Sequence, residues 1–210
     1  MGKRVLVIWN DLYHPADRYG FLMDQVFTQN GWQVETDESI RRLLLVKEPP
    51  DLVVSLTAGR KDGEPPLKGQ EQLKMVKMVE NGMGWLFIHA GLAGIELDAH
   101  LYELSLGRFV SHPPEPTLVT GSAMPGTVHP IMQNFTPFTD YDEQYFCQID
   151  LIKTHPFLCT LSNHGTEIGG WSREVGSGRV ACLTPGHTEA ILAKMIPLIE
   201  HAAAWCVHEL

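Results

Sequence analysis

The chain has 210 residues, 44% hydrophobic and 20% charged, values of an ordinary globular domain that exclude disorder, collagen and coiled coil. Sixteen Lys and Arg against twenty-five Asp and Glu leave a formal charge of −9. With no basic cluster larger than the pairs Lys3-Arg4, Arg41-Arg42 and Arg60-Lys61, nucleic-acid binding is not expected, because phosphate affinity needs clustered cations.

Taken in chain order, the first half alternates between two periodicities. Val5 to Trp9 is a continuous apolar run, as in a strand covered on both faces. Asp17 to Asn30 carries a helical stripe at Phe21, Leu22, Val26 and Phe27, stopped by Asn30-Gly31. A short strand at Gln33–Thr36, a brief helix at Ser39–Val46 and a third strand at Leu52–Leu56 follow, the helix ended by Pro49-Pro50. Lys68–Glu80 reads as helix and Gly84–Ile88 as a fourth buried strand. Strands alternating with helices predict one α/β domain over residues 1–210, a parallel sheet with helices on both faces.

Gly107 to Pro137 is rich in Pro and Gly and reads as irregular structure with short edge strands. Strands return at Gln144–Ile149, Phe157–Leu161 and Arg179–Leu183. A closing helix carries Ile191, Leu192, Met195, Leu198, Ile199, Ala202 and Cys206 inward, with Pro197 expected to kink it or begin its second half. Cys147, Cys159, Cys182 and Cys206 have no C-x-x-C spacing and read as buried thiols in a reducing cytoplasm. The first apolar run is too short for a signal-peptide core or a membrane span, so no membrane association is expected. Apolar residues of the middle segment are compatible with a homodimer.

Ligands of open parallel sheets bind beyond the carboxyl ends of the strands. That rule gathers Asn10, Asp11 and His14 after the first strand, Thr57 after the third, His89 after the fourth and His187 after the last. His89, in Ile88-His89-Ala90-Gly91, has the layout of a nucleophile elbow, whose small neighbours let the chain turn sharply. His187 lies two residues before Glu189, a spacing that suits an oriented base and equally a helix start capped by Thr188. Glu143 and Tyr145 offer a carboxylate and a phenol. Trp171 and Arg173 offer a sugar-stacking face, a pattern that an amphipathic strand edge shares. Among ten histidines, His14, His89, His112, His129 and His187 are candidate metal imidazoles, His89 and His187 foremost. No H-x-x-x-H spacing selects among them. A divalent metal, zinc first, is the cofactor they admit.

Ile88-His89-Ala90-Gly91, His129-Pro130-Ile131, Asp142-Glu143-Gln144-Tyr145, and Gly178-Arg179-Val180 leading to Pro185-Gly186-His187 together resemble the trehalose-utilisation (ThuA-like) family, in order along nearly the whole chain. That resemblance implies the flavodoxin-like sheet of the class I glutamine amidotransferases, with His89 where those enzymes carry a cysteine. Without that thiol no thioester forms, so glutaminase activity is not expected. Ala90-Gly91 stands where family members tend to carry Ser-Gly.

The resemblance also implies carbohydrate metabolism. The expected partner is a small sugar, trehalose-like or its 3-oxo derivative made by a sugar dehydrogenase. Isomerase, lyase or hydrolase chemistry is expected, with His89, His187 and Glu143 catalytic and Asn10, Asp11, His14, Thr57, Tyr145, Trp171 and Arg173 contacting substrate. The competing expectation is a sugar-binding or regulatory module without catalysis.

Overall fold

Alternate residues of the first strand, β1 (Arg4–Ile8), face opposite sides of a sheet, and both sides are apolar. Val5 and Val7 join one core cluster, Leu6 and Ile8 the other. The unbroken apolar run is the signature of that double burial. The computed structural model describes residues 2–210.

After β1 come α1 (Ala16–Met23), which runs on as a π-helical turn (Asp24–Thr28), then β2 (Gln33–Asp37) and β3 (Leu52–Ser55). α2 (Gly69–Glu80), β4 (Gly84–Ile88), a tight 3-10 turn at His89–Leu92 and the short α3 (Tyr102–Ser105) complete the first half. The second half holds β5 (Gly107–Ser111), β6 (Thr117–Ala123), β7 (Phe138–Asp142), β8 (Phe146–Ile149), β9 (His155–Ser162), β10 (Gly165–Val175), β11 (Gly178–Leu183) and α4 (Glu189–Cys206).

Nine strands form one sheet in the order β2-β1-β3-β4-β11-β10-β9-β6-β7, and β5 pairs with β8 in a separate ribbon. The first five run parallel, with α1 and α4 against one face and α2 and α3 against the other, the α/β architecture expected. The remaining pairs are antiparallel, an extension that the alternation of the first half does not announce.

Three local expectations differ from what forms, and a fourth element, the closing helix, runs as one. Ser39–Val46 is only a 3-10 turn, Ile40–Leu44, whose two buried residues Ile40 and Leu43 stand at the i, i+3 spacing that eclipses in that helix. The middle segment is less irregular than its prolines suggest. Pro113, Pro114 and Pro116 all precede β6, so seven clean residues remain to pair, and β6 lies inside the sheet between β9 and β7 rather than at an edge. The strand expected from Gln144 begins at Phe146 and lies in the ribbon, because the Gln144 side chain is spent on the carbonyls of Thr160 and Gly165. Finally, α4 continues through Pro197. Ala193, which loses its intrahelical donor there, is exposed and open to water.

Candidate functional site

Three strand ends of the parallel half each deliver one imidazole to the same point. Beyond β1 the chain turns at Asn10 (φ +69°) into a loop that Asp11 holds together. One oxygen of Asp11 accepts from the backbone amides of Tyr13 (2.9 Å) and His14 (2.7 Å), and it lies 2.9 Å from His14 Nδ1. Beyond β4, His89 opens the 3-10 turn in the left-handed region, φ +48°, where a non-glycine residue is strained and persists only when its surroundings impose it. Its Nδ1 lies 2.9 Å from the carbonyl of Thr184, which can only accept, so Nδ1 carries the proton.

Beyond β11, the loop bearing His187 is tied down by Asp142, a wholly buried carboxylate at the end of β7. It accepts from the amides of Gly186 (2.8 Å), His187 (2.8 Å) and Thr188 (3.1 Å). Burial raises the Asp142 carboxyl above its ordinary value, while His89 and the three amides pull the other way.

Ring centroids of His14, His89 and His187 are 5.3 to 5.4 Å apart pairwise, and one nitrogen from each lies within 4.8 Å of the other two. The chain leaving β7 sets Glu143 beside them. Its Oε2 is 3.4 Å from His89 Nε2 and 3.5 Å from His187 Nδ1, and its Oε1 is 3.8 Å from His112 Nδ1. Burial opposes ionisation of Glu143, but His89, His187 and His112 outweigh it and hold the carboxyl below its usual value. Burial also lowers His187, to about 4, and lowers His14, against the attraction of Glu143 and Asp11 respectively, so both are neutral imidazoles at neutral pH. Tyr145 stacks on His89 with centroids 4.0 Å apart, and burial keeps its phenol protonated above the ordinary range.

Above this group opens a cavity of about 970 Å³, within the range of small-molecule sites. Asp11, His14, Thr57, His112, Glu143, Tyr145 and His187 line it, and His89 is sealed just beneath, 1% exposed. Most of the sequence-predicted residues therefore meet at the expected rim.

Three do not. Asn10 is consumed by structure: its side-chain oxygen accepts from the Ala16 amide that starts α1, and its nitrogen donates to Glu38 at 2.6 Å. Trp171 is completely buried in the opposite core, its indole N–H spent on the carbonyl of Ser105 at 2.7 Å, so it offers no face to a sugar. Arg173 donates to the carbonyl of Glu103 and lines no part of the cavity. Glu189 is exposed in the first turn of α4, whose cap is Thr188, accepting from Ile191. The carboxylate beside His187 is Glu143. His129 lies apart, packed on Phe157 and Trp205 with Nε2 2.8 Å from Ser172 Oγ. Arg60, on the loop after β3, and Gln72 of α2 line the cavity unforeseen. Only Arg60 carried a usable signal, three residues past Thr57 on the same rim.

The family model described as ThuA, trehalose utilisation, matches residues 4–206. Among solved structures, the chain is similar to a ThuA-like protein from Parabacteroides merdae, with TM-score 0.77, 14% identity and coverage of 99% of this chain and 90% of that one. A ThuA-like protein from Bacteroides uniformis gives 0.72 and 15%, over 97% and 91%. A cold-adapted β-galactosidase from Rahnella sp. R3 gives 0.66 and 8%, over 95% of this chain but 31% of the larger one. At these identities the structural likeness speaks for the fold. No curated protein matches the chain. Among the described residues no helix is long and apolar enough to cross a membrane.

Proposed function

The chain belongs to the ThuA, trehalose-utilisation family, and from that premise we propose that it is an enzyme working by acid–base chemistry on a trehalose-like disaccharide in its 3-oxo form. The observation that carries this reading is Glu143, an ionised carboxylate touching two imidazoles at the floor of a disaccharide-sized cavity.

A 3-oxo group acidifies the C–H at C2. The Glu143 carboxylate takes that proton, and the C–H pair becomes an enolate delocalised onto the 3-oxygen. The pair then returns to form the C1–C2 double bond as the C1–O bond breaks. The carboxyl, now protonated, hands its proton to the departing glycosidic oxygen. One C–H and one C–O bond are lost, one C=C and one O–H bond are gained, and no oxidant or water is consumed. A base held ionised beside the reacting carbon and screened from bulk water suits the first step. Tyr145, protonated and stacked on His89, is placed to donate to a sugar oxygen, and Asp11 and Thr57 to meet hydroxyls.

The substrate requires a prior oxidation, so a sugar dehydrogenase is the partner activity. A cytoplasmic setting fits four cysteines that are all unpaired.

The test is product analysis by NMR after incubation with trehalose and with 3-oxo-trehalose. Release of free sugar from the 3-oxo substrate, lost in Glu143→Gln, is expected. Tight calorimetric binding without conversion overturns catalysis in favour of a sugar-binding module, and equal turnover by Glu143→Gln overturns the assigned base.

A further inference from the structure

We propose that His14, His89 and His187 are the ligands of a divalent-metal centre of the zinc type, with a fourth position open toward Glu143. The centre does not rest on the sugar reading: it follows from where the imidazole lone pairs point.

Two of the three rings have one nitrogen engaged and the other free. His14 Nδ1 faces Asp11, and His89 Nδ1–H donates to Thr184, which leaves Nε2 of both as bare acceptors. His14 Nε2, His89 Nε2 and His187 Nδ1 are all buried and without a hydrogen-bond partner among the described residues. One nitrogen from each of these three rings lies within 4.8 Å of one from each of the other two. Native structures leave on the order of a few such atoms per 100 residues unsatisfied, and here three sit side by side against a carboxylate oxygen. With the rings neutral, four acceptors converge with no donor between them. A single proton bridges two of them and strands the rest, whereas a divalent cation satisfies the three nitrogens at once beside the carboxylate.

The surroundings match the chemistry of such centres. A carboxylate behind one histidine and a backbone carbonyl behind another fix tautomer and ring orientation, as the outer partners of metal-bound histidines do. Three nitrogens on tetrahedral zinc stand roughly 3.3 Å apart, so loading draws the rings slightly inward. Three protein ligands with an open position is the catalytic rather than the structural pattern. A cation there would polarise a carbonyl or a bound water beside the Glu143 base.

The experiment uses the full chain without an affinity tag, stripped with chelator and titrated with Co²⁺ alone, then with Zn²⁺ against a chromophoric chelator. One Co²⁺ per chain is expected, with the visible d–d bands of a low-coordinate nitrogen site, bleached by Zn²⁺. His14→Ala, His89→Ala and His187→Ala should each weaken Zn²⁺ binding at least about 100-fold, while His112→Ala and His129→Ala bind as the parent does. Circular dichroism confirms that each variant is folded; for one that is not, the Co²⁺ spectrum and stoichiometry of the parent protein decide alone. Substoichiometric Co²⁺ without d–d bands, or Zn²⁺ affinity unchanged in the folded histidine variants, overturns the centre. A protein that binds Co²⁺ as described yet leaves 3-oxo-trehalose untouched upholds the metal site and overturns only the sugar reading.

Discussion

Gly91→Ala tests how tightly the turn carrying His89 is held against the sheet. An ideal Cβ at Gly91 would lie 2.0 Å from the carbonyl oxygen of Ser55, 2.8 Å from its carbon and 3.0 Å from its Cβ. The obstacle is backbone at the buried end of β3, and Ser55 is pinned from the other side, its Oγ accepting from the Trp85 indole at 3.0 Å. Relief therefore requires the His89–Leu92 turn to back away by about 1 Å, which takes His89 from its 2.9 Å contact with Thr184. Overpacking costs about 1–3 kcal/mol, and the lost hydrogen bond adds about 1. A loss of about 2–4 kcal/mol is a large part of a stability of about 5–15 kcal/mol and, for a chain this size, lowers Tm by roughly 4–16 °C.

Urea unfolding followed by circular dichroism measures it, with Gly20→Ala as the paired control. Gly20 lies within α1 with nothing within 4 Å of its added Cβ, so that variant should gain about 0.5–1 kcal/mol. Gly91→Ala unfolding within 0.5 kcal/mol of the parent would refute the steric reasoning.

Asp142→Ala leaves the amides of Gly186, His187 and Thr188 without their acceptor and should cost about 3 kcal/mol or more by urea unfolding. Hydrogen exchange of those three amides should accelerate with it, and unchanged protection would sink the assignment of Asp142 as the loop's anchor. Trp171→Phe should fold, lose about 1–2 kcal/mol from the vacated volume and the missing bond to Ser105, and bind sugar as the parent does. Altered sugar affinity would restore Trp171 to the binding surface.

The fourth prediction concerns pH. Burial lowers His129 from 6.5 to about 4, with His155 and Arg179 pushing the same way. Between those values the unfolded chain binds a proton that the folded chain refuses, so His129 makes stability fall as pH drops from about 6.5 toward 4. Unfolding free energy measured across that window should decline less steeply in His129→Asn, and parallel profiles would exclude His129 as a source of acid sensitivity.

The parallel half was legible because burial on both faces leaves no room for polar residues inside a strand. Leu52–Ser55, Gly84–Ile88 and Gly178–Leu183 announce themselves, and with them the rim where their polar successors gather. The antiparallel half gives no such run. β10 mixes Thr166, Glu167, Ser172 and Arg173 with the pair Gly169-Gly170, where the register to β9 shifts, and nothing in that composition announces a strand of eleven residues. Trp171 was misread for the same cause, since an aromatic among polar neighbours looks exposed when the strand that buries it goes unseen. The partnership of His14 with His89 and His187 has no local period at all. It exists only because three parallel crossovers end at one rim, and Glu143 reaches them from β7, outside the alternating pattern.

Two strand ends at this rim bear non-glycine residues in the left-handed region, Asn10 and His89, and they differ in what restrains them. Asn10 spends both ends of its amide on Ala16 and Glu38, so its conformation is explained by the helix it starts. His89 has the Thr184 carbonyl behind it, Tyr145 stacked on its ring, and in front an Nε2 with no hydrogen-bond partner among the described residues. A strained backbone that aims an unpaired acceptor at two others is costly twice over, and folding alone gains nothing from it. The geometry fits the proposed metal centre, for which it would hold a lone pair still.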